Sequence, residues 1–208
     1  GEYLLEHLAG ISVEVEYASE IRYKKPVLFK DDDVILVTSQ SGETADTLAS
    51  LRYCKGEGVT VASIVNVPES TIARESDLVF PTLAGREIGV ASTKAFTAQL
   101  GALAAFAISL GRAQQTLCAD KEARLVDLLL STPRLSNTVL DCEDEIVGLA
   151  KQISTATSAL FIGRATMYPL ALEGALKLKE ISYIHAEGFA AGELKHGSIA
   201  LVDENMPI

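Results

Sequence analysis

The chain has 208 residues, a formal net charge of −10 at pH 7 and a hydrophobic content of 48%. This length and composition suit a folded globular protein that can bury an ample core. The acidic balance argues against nucleic acid as the main partner, because phosphate backbones are bound by clustered lysine and arginine side chains.

Short strands and helices alternate along the first half of the chain. Apolar spacing predicts a helix over Tyr3–Ala9, an edge strand over Ile11–Tyr17 and a short helix or turn over Ala18–Tyr23. The continuous run Val34–Val37 is β-branched at three of four positions and predicts a central strand buried on both faces of a parallel sheet. Further helices are expected over residues 45–56, 70–75 and 92–110, and further strands over residues 59–65 and 78–82.

This order of elements predicts an α/β protein, a three-layer αβα doubly wound parallel sheet with helices on both faces. In the second half, polar amphipathic helices over Lys121–Leu130 and Asp141–Thr155 flank an expected break at Pro133 and would connect two units. A new strand over Ala159–Gly163 and a helix over Leu170–Ser182 follow.

A hydroxyl-rich turn follows the run Val34–Val37 and precedes a helix. Ser39, Gln40, Ser41 and Thr44 place three hydroxyls and an amide at the strand's carboxyl end, where parallel sheets bind ligands. The next helix begins with backbone N–H groups that favour an anion, and Gly42, within the same turn, permits a positive φ. The turn therefore predicts a neutral phosphate-binding cradle. The structural alternative is that Ser41 or Thr44 simply caps the helix.

A charged stripe lies on the helix predicted over Leu170–Ser182. Glu173, Lys177 and Glu180 share one helical face at positions i, i+4 and i+7. On a surface helix this spacing is an ordinary salt-bridge ladder. Because the rest of the helix is apolar, the stripe is instead expected near a buried surface, where charges shift in pKa and favour proton transfer.

Three long motifs resemble the sugar isomerase (SIS) family, in the order in which they occur in its glutamine:fructose-6-phosphate aminotransferases. They are Ser39–Thr47, Glu87–Thr97 and Leu172–Glu187, the last continuing to Gly192–Gly197. The resemblance spans nearly the whole chain and is faintest over Arg112–Thr157. It implies the SIS fold and an enzyme that makes glucosamine 6-phosphate and glutamate from fructose 6-phosphate and glutamine, the first step towards amino sugars.

The resemblance also implies a role for each site residue. Val90 and Ser92 would contact the sugar in the pocket of the phosphate loop, although Ser92 and Thr93 are also candidate helix caps. Glu180 would be the base at carbon and Lys177 would assist it, with Glu173 in the same binding set. His196, supplied by the neighbouring subunit of a homodimer, would open the sugar ring. His185 is expected to make a core or interface hydrogen bond, and His7 precedes the motifs.

A weak internal repeat appears when the chain is compared with itself at an offset of 173. It aligns Ala18–Tyr23 with Ala191–His196, with chance as the alternative explanation. The repeat predicts two tandem SIS units: residues 1–113 as a first unit lacking its first strand, 114–157 as a helical connector and 158–208 as the start of a second unit. By resemblance, an N-terminal glutaminase domain is expected in the parent protein, and the chain alone is expected to be inactive as an aminotransferase.

Other features predict no cofactor and no metal site. Cys54, Cys118 and Cys142 are scattered as in a reducing compartment, and no glycine fingerprint indicates a nucleotide. The apolar stretch Ala95–Leu110 contains Thr97 and Gln99, which favours a buried helix over a membrane span, and a cytoplasmic protein is expected.

Two alternatives remain open at this point. One is a deglycase or isomerase of the same fold that acts on another phosphosugar. The other is a non-catalytic sugar-phosphate sensor, which would need the cradle but not Glu180 and His196.

Overall fold

The computed structural model of the chain describes residues 1–25 and 29–208. They form two compact units, Gly1–Leu129 and Leu130–Ile208. Both units contain parallel strands followed by helices, which confirms the predicted α/β class.

The first unit contains a parallel sheet of three strands in the order β1-β2-β3. The strands are β1 (Val34–Ser39), β2 (Thr60–Val65) and β3 (Leu78–Pro81). Its helices are α1 (Glu2–Leu4), which continues as a π-helix over Leu5–Ala9, α2 (Ala18–Lys24), α3 (Ala45–Gly56), α4 (Thr71–Glu75) and α5 (Lys94–Ala113).

The main core lies between this sheet and the helices α3 and α4. It combines buried strand residues with Leu51 and Cys54 of α3 and Ile72 of α4, which have no exposed surface. Against β3, the rings of Phe80 and Phe106 pack with centroids 5.0 Å apart, which attaches α5 to the sheet. A second cluster joins the N-terminal helix to α5.

β2, and not β1, is the central strand of the described sheet. Its residues from Val61 to Val65 are all buried, whereas Val34 in β1 is 55% exposed. Within the described residues β1 pairs with β2 alone, so the continuous apolar run lies at an edge. The prediction of a strand at Val34–Val37 is confirmed, whereas in the described residues only Val37 of this run is buried.

The predicted edge strand over Ile11–Tyr17 is also wrong. This segment has no regular secondary structure, and Val15 and Tyr17 are 69% and 78% exposed. Val13 packs against the cluster formed by the N-terminal helix and α5. The alternation of apolar and acidic residues thus places one apolar side chain against that cluster. None of the described residues, however, forms with this segment the ladder of backbone hydrogen bonds that a strand requires.

α5 has the length and composition of a membrane-spanning helix. An 18-residue stretch of it has a mean hydropathy of 1.3, and 22% of that stretch is buried. Its buried residues are Ala95 near its start and Ala107, Ile108 and Gly111 near its end. The expectation of a buried helix therefore holds for these positions only. A single such helix is weak evidence for a membrane, because core helices pass the same test.

Two helices connect the strands of the two halves. α6 (Ala119–Leu140) runs through Pro133 without interruption, and α7 (Glu143–Ile153) follows a turn at Asp141 and Cys142. The predicted break at Pro133 is wrong. A proline removes one hydrogen bond and costs about 3 kcal/mol in a helix interior, but the helical residues on both sides still sustain the helix.

The second unit contains a parallel pair of strands covered by one helix. β4 (Ser158–Gly163) pairs in register with β5 (His185–Ala190), and α8 (Met167–Ser182) connects them. A 3₁₀ turn follows at Ser198–Leu201. Small residues let α8 approach the strands closely: an added Cβ on Gly174 would come within 2.8 Å of the Phe161 ring. β5 was not predicted.

The three cysteines are free. Cys54 is buried in the first core, and burial raises the pKa of its thiol, whereas Cys118 and Cys142 are exposed. The chain therefore has one core thiol and two surface thiols.

We expect Asp77→Asn to weaken the first unit and to reduce its sensitivity to acid. The Asp77 carboxylate accepts hydrogen bonds from Lys55 Nζ at 2.8 Å and from the Val61 N–H at 2.9 Å, and these lower its pKa below the ordinary 3.8. A depressed folded-state pKa contributes stability above the unfolded-state pKa and loses it as the pH falls through the folded-state value.

Denaturant unfolding at pH 7 and at a series of values below pH 4 measures this effect. The control is Asp127→Asn, an exposed carboxylate on α6. Equal acid sensitivity of Asp77→Asn and the unsubstituted chain would contradict the role of Asp77.

Candidate active site

The candidate site in the first unit lies at the carboxyl edge of its sheet. Ser39, Val65 and Pro81 end the three strands in matching register. The loops that follow the strands therefore share one edge, the location at which open parallel sheets bind ligands.

The loop after β1 is organised by its own hydroxyls. Ser39 is buried, and its Oγ accepts a hydrogen bond from the Gly42 N–H at 3.0 Å and lies 3.1 Å from Thr44 Oγ1. Ser41 Oγ accepts from the Glu43 N–H at 3.2 Å. Ser41 and Thr44 remain exposed, so two hydroxyls are accessible to a ligand and the third shapes the loop.

The helix that follows this loop has no side-chain cap. Thr44 occupies the N-cap position of α3, but its side chain makes no capping hydrogen bond. Ser41 Oγ bonds to the loop instead. The first helical bond runs from the Leu48 N–H to the Thr44 carbonyl, which leaves the preceding N–H groups outside the helical ladder. The capping alternative is therefore wrong, and an anion can approach these donors.

Gly42 and Glu43 hold the loop against the start of α4. Glu43 Oε1 accepts from the Thr71 N–H at 2.7 Å, and this bond lowers the pKa of Glu43. The Gly42 carbonyl accepts from the Ile72 N–H at 3.0 Å. Gly42 has a φ of +67°, as predicted, and a Cβ at this position would overlap the Ser70 side chain.

Asn66 joins the loops after β1, β2 and β3. Its N–H donates to the Gln40 carbonyl at 3.3 Å, and its Nδ2 donates to the Gly85 carbonyl at 2.6 Å. Its Oδ1 accepts from Thr82 Oγ1 at 3.0 Å and from the Ala84 N–H at 2.8 Å. One amide thus fixes the spacing of the loops along the whole edge.

Val90 and Ser92 lie in the loop that leads into α5. Val90 is fully exposed, and Ser92 has a positive φ of 58°. Neither predicted cap is correct: Thr93 occupies the N-cap position without a capping side-chain bond, and Ser92 precedes it. The carboxylate of Glu87 caps the helix instead, by accepting from the Ala95 N–H at 2.9 Å.

The charged stripe in the second unit is an ion-paired cluster. Lys177 Nζ lies 2.8 Å from Glu180 Oε2 and 3.3 Å from Glu173 Oε1, and the three side chains are 24–38% exposed. Partial burial lowers the pKa of Lys177, but its hydrogen bonds with Glu180 and Glu173 outweigh that effect and the net pKa is raised. Lys177 is therefore a cation at neutral pH.

The charged stripe was expected to lie near a buried apolar surface, but the apolar residues of α8 are less buried than predicted. Only Ala171 and Ala175 of α8 are buried. The larger apolar side chains are 41–68% exposed in the described chain: Leu170, Leu172, Leu176 and Ile181. Ala171 and Ala175 are small enough to contact the strands closely, which leaves the bulkier residues outside the contact.

His196 lies in the turn after β5, whereas Glu180 lies in the last turn of α8. No hydrogen bond or ion pair joins them, and the exposed His196 side chain has no such bond within residues 1–25 and 29–208. His185 is exposed, with Nε2 3.4 Å from Glu187 Oε1, so the expected core bond is wrong. His7 Nδ1 lies 2.8 Å from the Tyr3 carbonyl oxygen.

A groove of about 550 Å³ in the second unit does not involve the predicted site. It is lined by residues from 152–157 and 204–207. In the part of the chain that the structure describes, no group of three histidine, cysteine or acidic side chains is placed to hold a metal ion.

Sequence reasoning missed three residues that organise the loops: Glu43, Asn66 and Glu87. Glu43 and Asn66 bond to backbone groups 28 and 19 positions away, so no local spacing identifies them, whereas Glu87 bonds to backbone groups up to eight positions ahead. For Glu43 and Glu87 the sequence offered one signal: each is an acidic residue shortly before a helix, where the helix dipole favours a negative charge.

Comparison with known proteins adds a family model, relatives and solved structures. The SIS domain model matches residues 1–109 and 152–208. Glutamine–fructose-6-phosphate aminotransferase (isomerizing) of Brucella abortus is 58% identical over 207 residues, and that of Bradyrhizobium diazoefficiens is 59% identical. Both matches cover 100% of the chain but 34% of the relative, so the chain spans about a third of their length.

Solved structures agree with this assignment. The C-terminal domain of glucosamine-fructose-6-phosphate aminotransferase from Francisella tularensis is 48% identical, with a TM-score of 0.97 over 100% of this chain and 58% of that one. Glucosamine-6-phosphate deaminase from Thermotoga maritima, 21% identical, gives a TM-score of 0.76 over 99% of this chain and 60% of that one. The second match supports the fold alone.

Proposed function

Because the chain belongs to the SIS domain family, we propose that it is the sugar-phosphate-binding and isomerising part of a glutamine:fructose-6-phosphate aminotransferase. The full-length enzyme would convert fructose 6-phosphate and glutamine to glucosamine 6-phosphate and glutamate. The names of the most similar relatives favour this activity over a sensor or a deglycase.

The uncapped start of α3 is the observation that carries the proposal. Exposed hydroxyls of Ser41 and Thr44 flank N–H groups that lie outside the helical ladder, at the carboxyl end of β1. Ser39 and Gln40 complete the cradle. The chain has a net charge of −10, which would repel an anionic phosphate. These local donors would therefore have to supply the attraction that binds it.

Aldose–ketose interconversion needs a group that moves a proton between C1 and C2 and another that handles the ring oxygen. We assign the first role to Glu180, whose carboxylate lies beside the Lys177 ammonium. Lys177 would hold this carboxylate in position, and Glu173 would fix Lys177 from its other side. Val90 and Ser92 would contact the sugar.

The assembly forms part of the proposal. His196 is exposed, so we propose that it opens the sugar ring in the site of a neighbouring subunit of a homodimer. The full-length protein would add an N-terminal glutaminase domain and act in the cytoplasm, apart from membranes and nucleic acids. Within the chain we propose a first SIS unit over 1–113, a connector over 114–157 and a second unit from 158.

A thermal-shift titration tests the phosphate cradle. Fructose 6-phosphate and glucose 6-phosphate should raise the melting temperature, and fructose should not. Binding to the folded state alone stabilises by about 2.7 kcal/mol at a ligand concentration of 100 Kd, and each kcal/mol corresponds to about 2–4 °C in a chain of this size.

Thr44→Val, which keeps the side-chain shape and removes an exposed hydroxyl, should reduce the shift. The control is Thr60→Val, at an exposed position in β2. Equal shifts with fructose and with its phosphate, or none with either, would contradict the proposal.

A further inference from the structure

The Glu87 carboxylate is the centre of a network that closes the loop before α5. Oε1 accepts from the Ile88 and Gly89 N–H groups at 3.0 and 3.1 Å and from Thr93 Oγ1 at 3.4 Å. Oε2 accepts from the Thr93 N–H at 3.1 Å and the Ala95 N–H at 2.9 Å. One side chain thus bonds to both ends of the loop and to the first turn of the helix.

The negative charge of Glu87 suits this position. The hydrogen bond from the Ala95 N–H lowers its pKa most, and those from Gly89, Ile88 and Thr93 add to the effect against an opposing contribution from desolvation. The carboxylate also lies where the dipole of the 20-residue helix α5 favours an anion. Glutamine keeps the shape of this side chain but has one acceptor oxygen in place of two and no charge.

Within the loop Ala91 is buried, whereas Val90 and Ser92 on either side of it are not. Val90 is fully exposed, and Ser92 adopts a left-handed conformation that costs a non-glycine residue about 1–2 kcal/mol. In the described chain one other hydrogen bond lies within the loop, from the Ser92 N–H to the Gly89 carbonyl at 3.1 Å. The geometry of Val90 and Ser92 therefore depends on the burial of Ala91 between them and on the bonds that Glu87 makes at both sides of them.

We infer that Glu87 is a positioning residue that holds Val90 and Ser92 in place for the sugar part of the ligand. The inference rests on the proposed function, in which these two residues contact the sugar. The phosphate would bind to a different loop, which is held by the bond from the Thr71 N–H to Glu43 and by the bond from the Asn66 N–H to the Gln40 carbonyl, and neither bond involves Glu87. Loss of the Glu87 carboxylate should therefore affect recognition of the sugar and not of the phosphate.

The experiment compares fructose 6-phosphate with inorganic phosphate as ligands in calorimetric titrations. For Glu87→Gln we expect the Kd of fructose 6-phosphate to rise about tenfold, the equivalent of about 1.4 kcal/mol, with the Kd of inorganic phosphate within twofold. The matched control is Glu57→Gln, at an exposed residue after α3, which should change neither value. Amide hydrogen exchange should accelerate at Gly89, Thr93 and Ala95 in Glu87→Gln alone.

Each outcome decides between the claims. An unchanged Kd of fructose 6-phosphate in Glu87→Gln would overturn the inference, and so would an equal loss of affinity for both ligands, which marks a general structural effect. If the unsubstituted chain binds neither ligand, the proposed function fails, a result distinct from a failure of Glu87 alone.

Discussion

Glu180→Gln in a full-length aminotransferase containing this chain is expected to abolish sugar isomerisation while glutamine hydrolysis continues. The variant keeps the side-chain shape and a hydrogen-bond acceptor near Lys177, but an amide cannot take the proton that moves between C1 and C2. Proton transfer by a positioned carboxylate typically contributes about 10²–10⁴-fold to a rate, so kcat for the sugar product should fall by that factor.

Two assays on the same preparation measure this effect. One follows glucosamine 6-phosphate and the other follows glutamate released from glutamine. Glu145→Gln on α7, at an exposed carboxylate in the same unit, is the control and should leave both rates unchanged. Near-normal formation of glucosamine 6-phosphate by Glu180→Gln would exclude Glu180 as the base.

Gly42→Ala should be among the most destabilising single substitutions in the first unit. The new methyl group would overlap Ser70, a buried residue whose Oγ accepts from the Ala73 N–H and caps α4. Left-handed backbone costs a non-glycine residue about 1–2 kcal/mol, and overpacking typically adds about 1–3 kcal/mol. Any ligand of the phosphate loop should bind more weakly because the loop must shift.

Gly58→Ala is the matched control for Gly42→Ala. Gly58 also has a positive φ, of 82°, but an added Cβ would meet no atom within 4 Å, so this variant reports backbone strain alone. The difference between the two unfolding free energies isolates the overlap with Ser70. Relative to Ser70→Gly alone, adding Gly42→Ala should cost no more than Gly58→Ala does, and equal losses in the two single alanine variants would contradict the overlap.

Local chemistry explains which parts of the fold the sequence predicts. The apolar run before Ser39, the helix α3 and the positive φ of Gly42 each follow from a few neighbouring residues, and the structure has all three. Ile11–Tyr17 also has the pattern of a strand, but a strand exists only with a partner. Which strands pair depends on the whole sheet, and the pattern of a few neighbouring residues does not contain that information.

The candidate site also combines features set by neighbouring residues with features set by the tertiary structure. The grouping of hydroxyls at the end of β1 was predictable because Ser39, Ser41 and Thr44 lie within six residues of one another. The bond from Glu43 to the Thr71 N–H joins residues 28 positions apart, and Asn66 reaches the Gly85 carbonyl across 19. These bonds depend on how the loops meet at the sheet edge, so they emerge only with the tertiary structure.

The distribution of the cysteines makes the chain a ready subject for distance spectroscopy. Cys118 belongs to the first compact unit and Cys142 to the second, and both thiols are exposed, whereas burial and a raised pKa protect Cys54 from thiol reagents. Maleimide dyes or nitroxide spin labels would therefore attach at one natural position in each unit. Because these two cysteines flank the uninterrupted helix α6, fluorescence transfer or electron–electron resonance between them would report the length and integrity of that helix in solution, without any engineered cysteine.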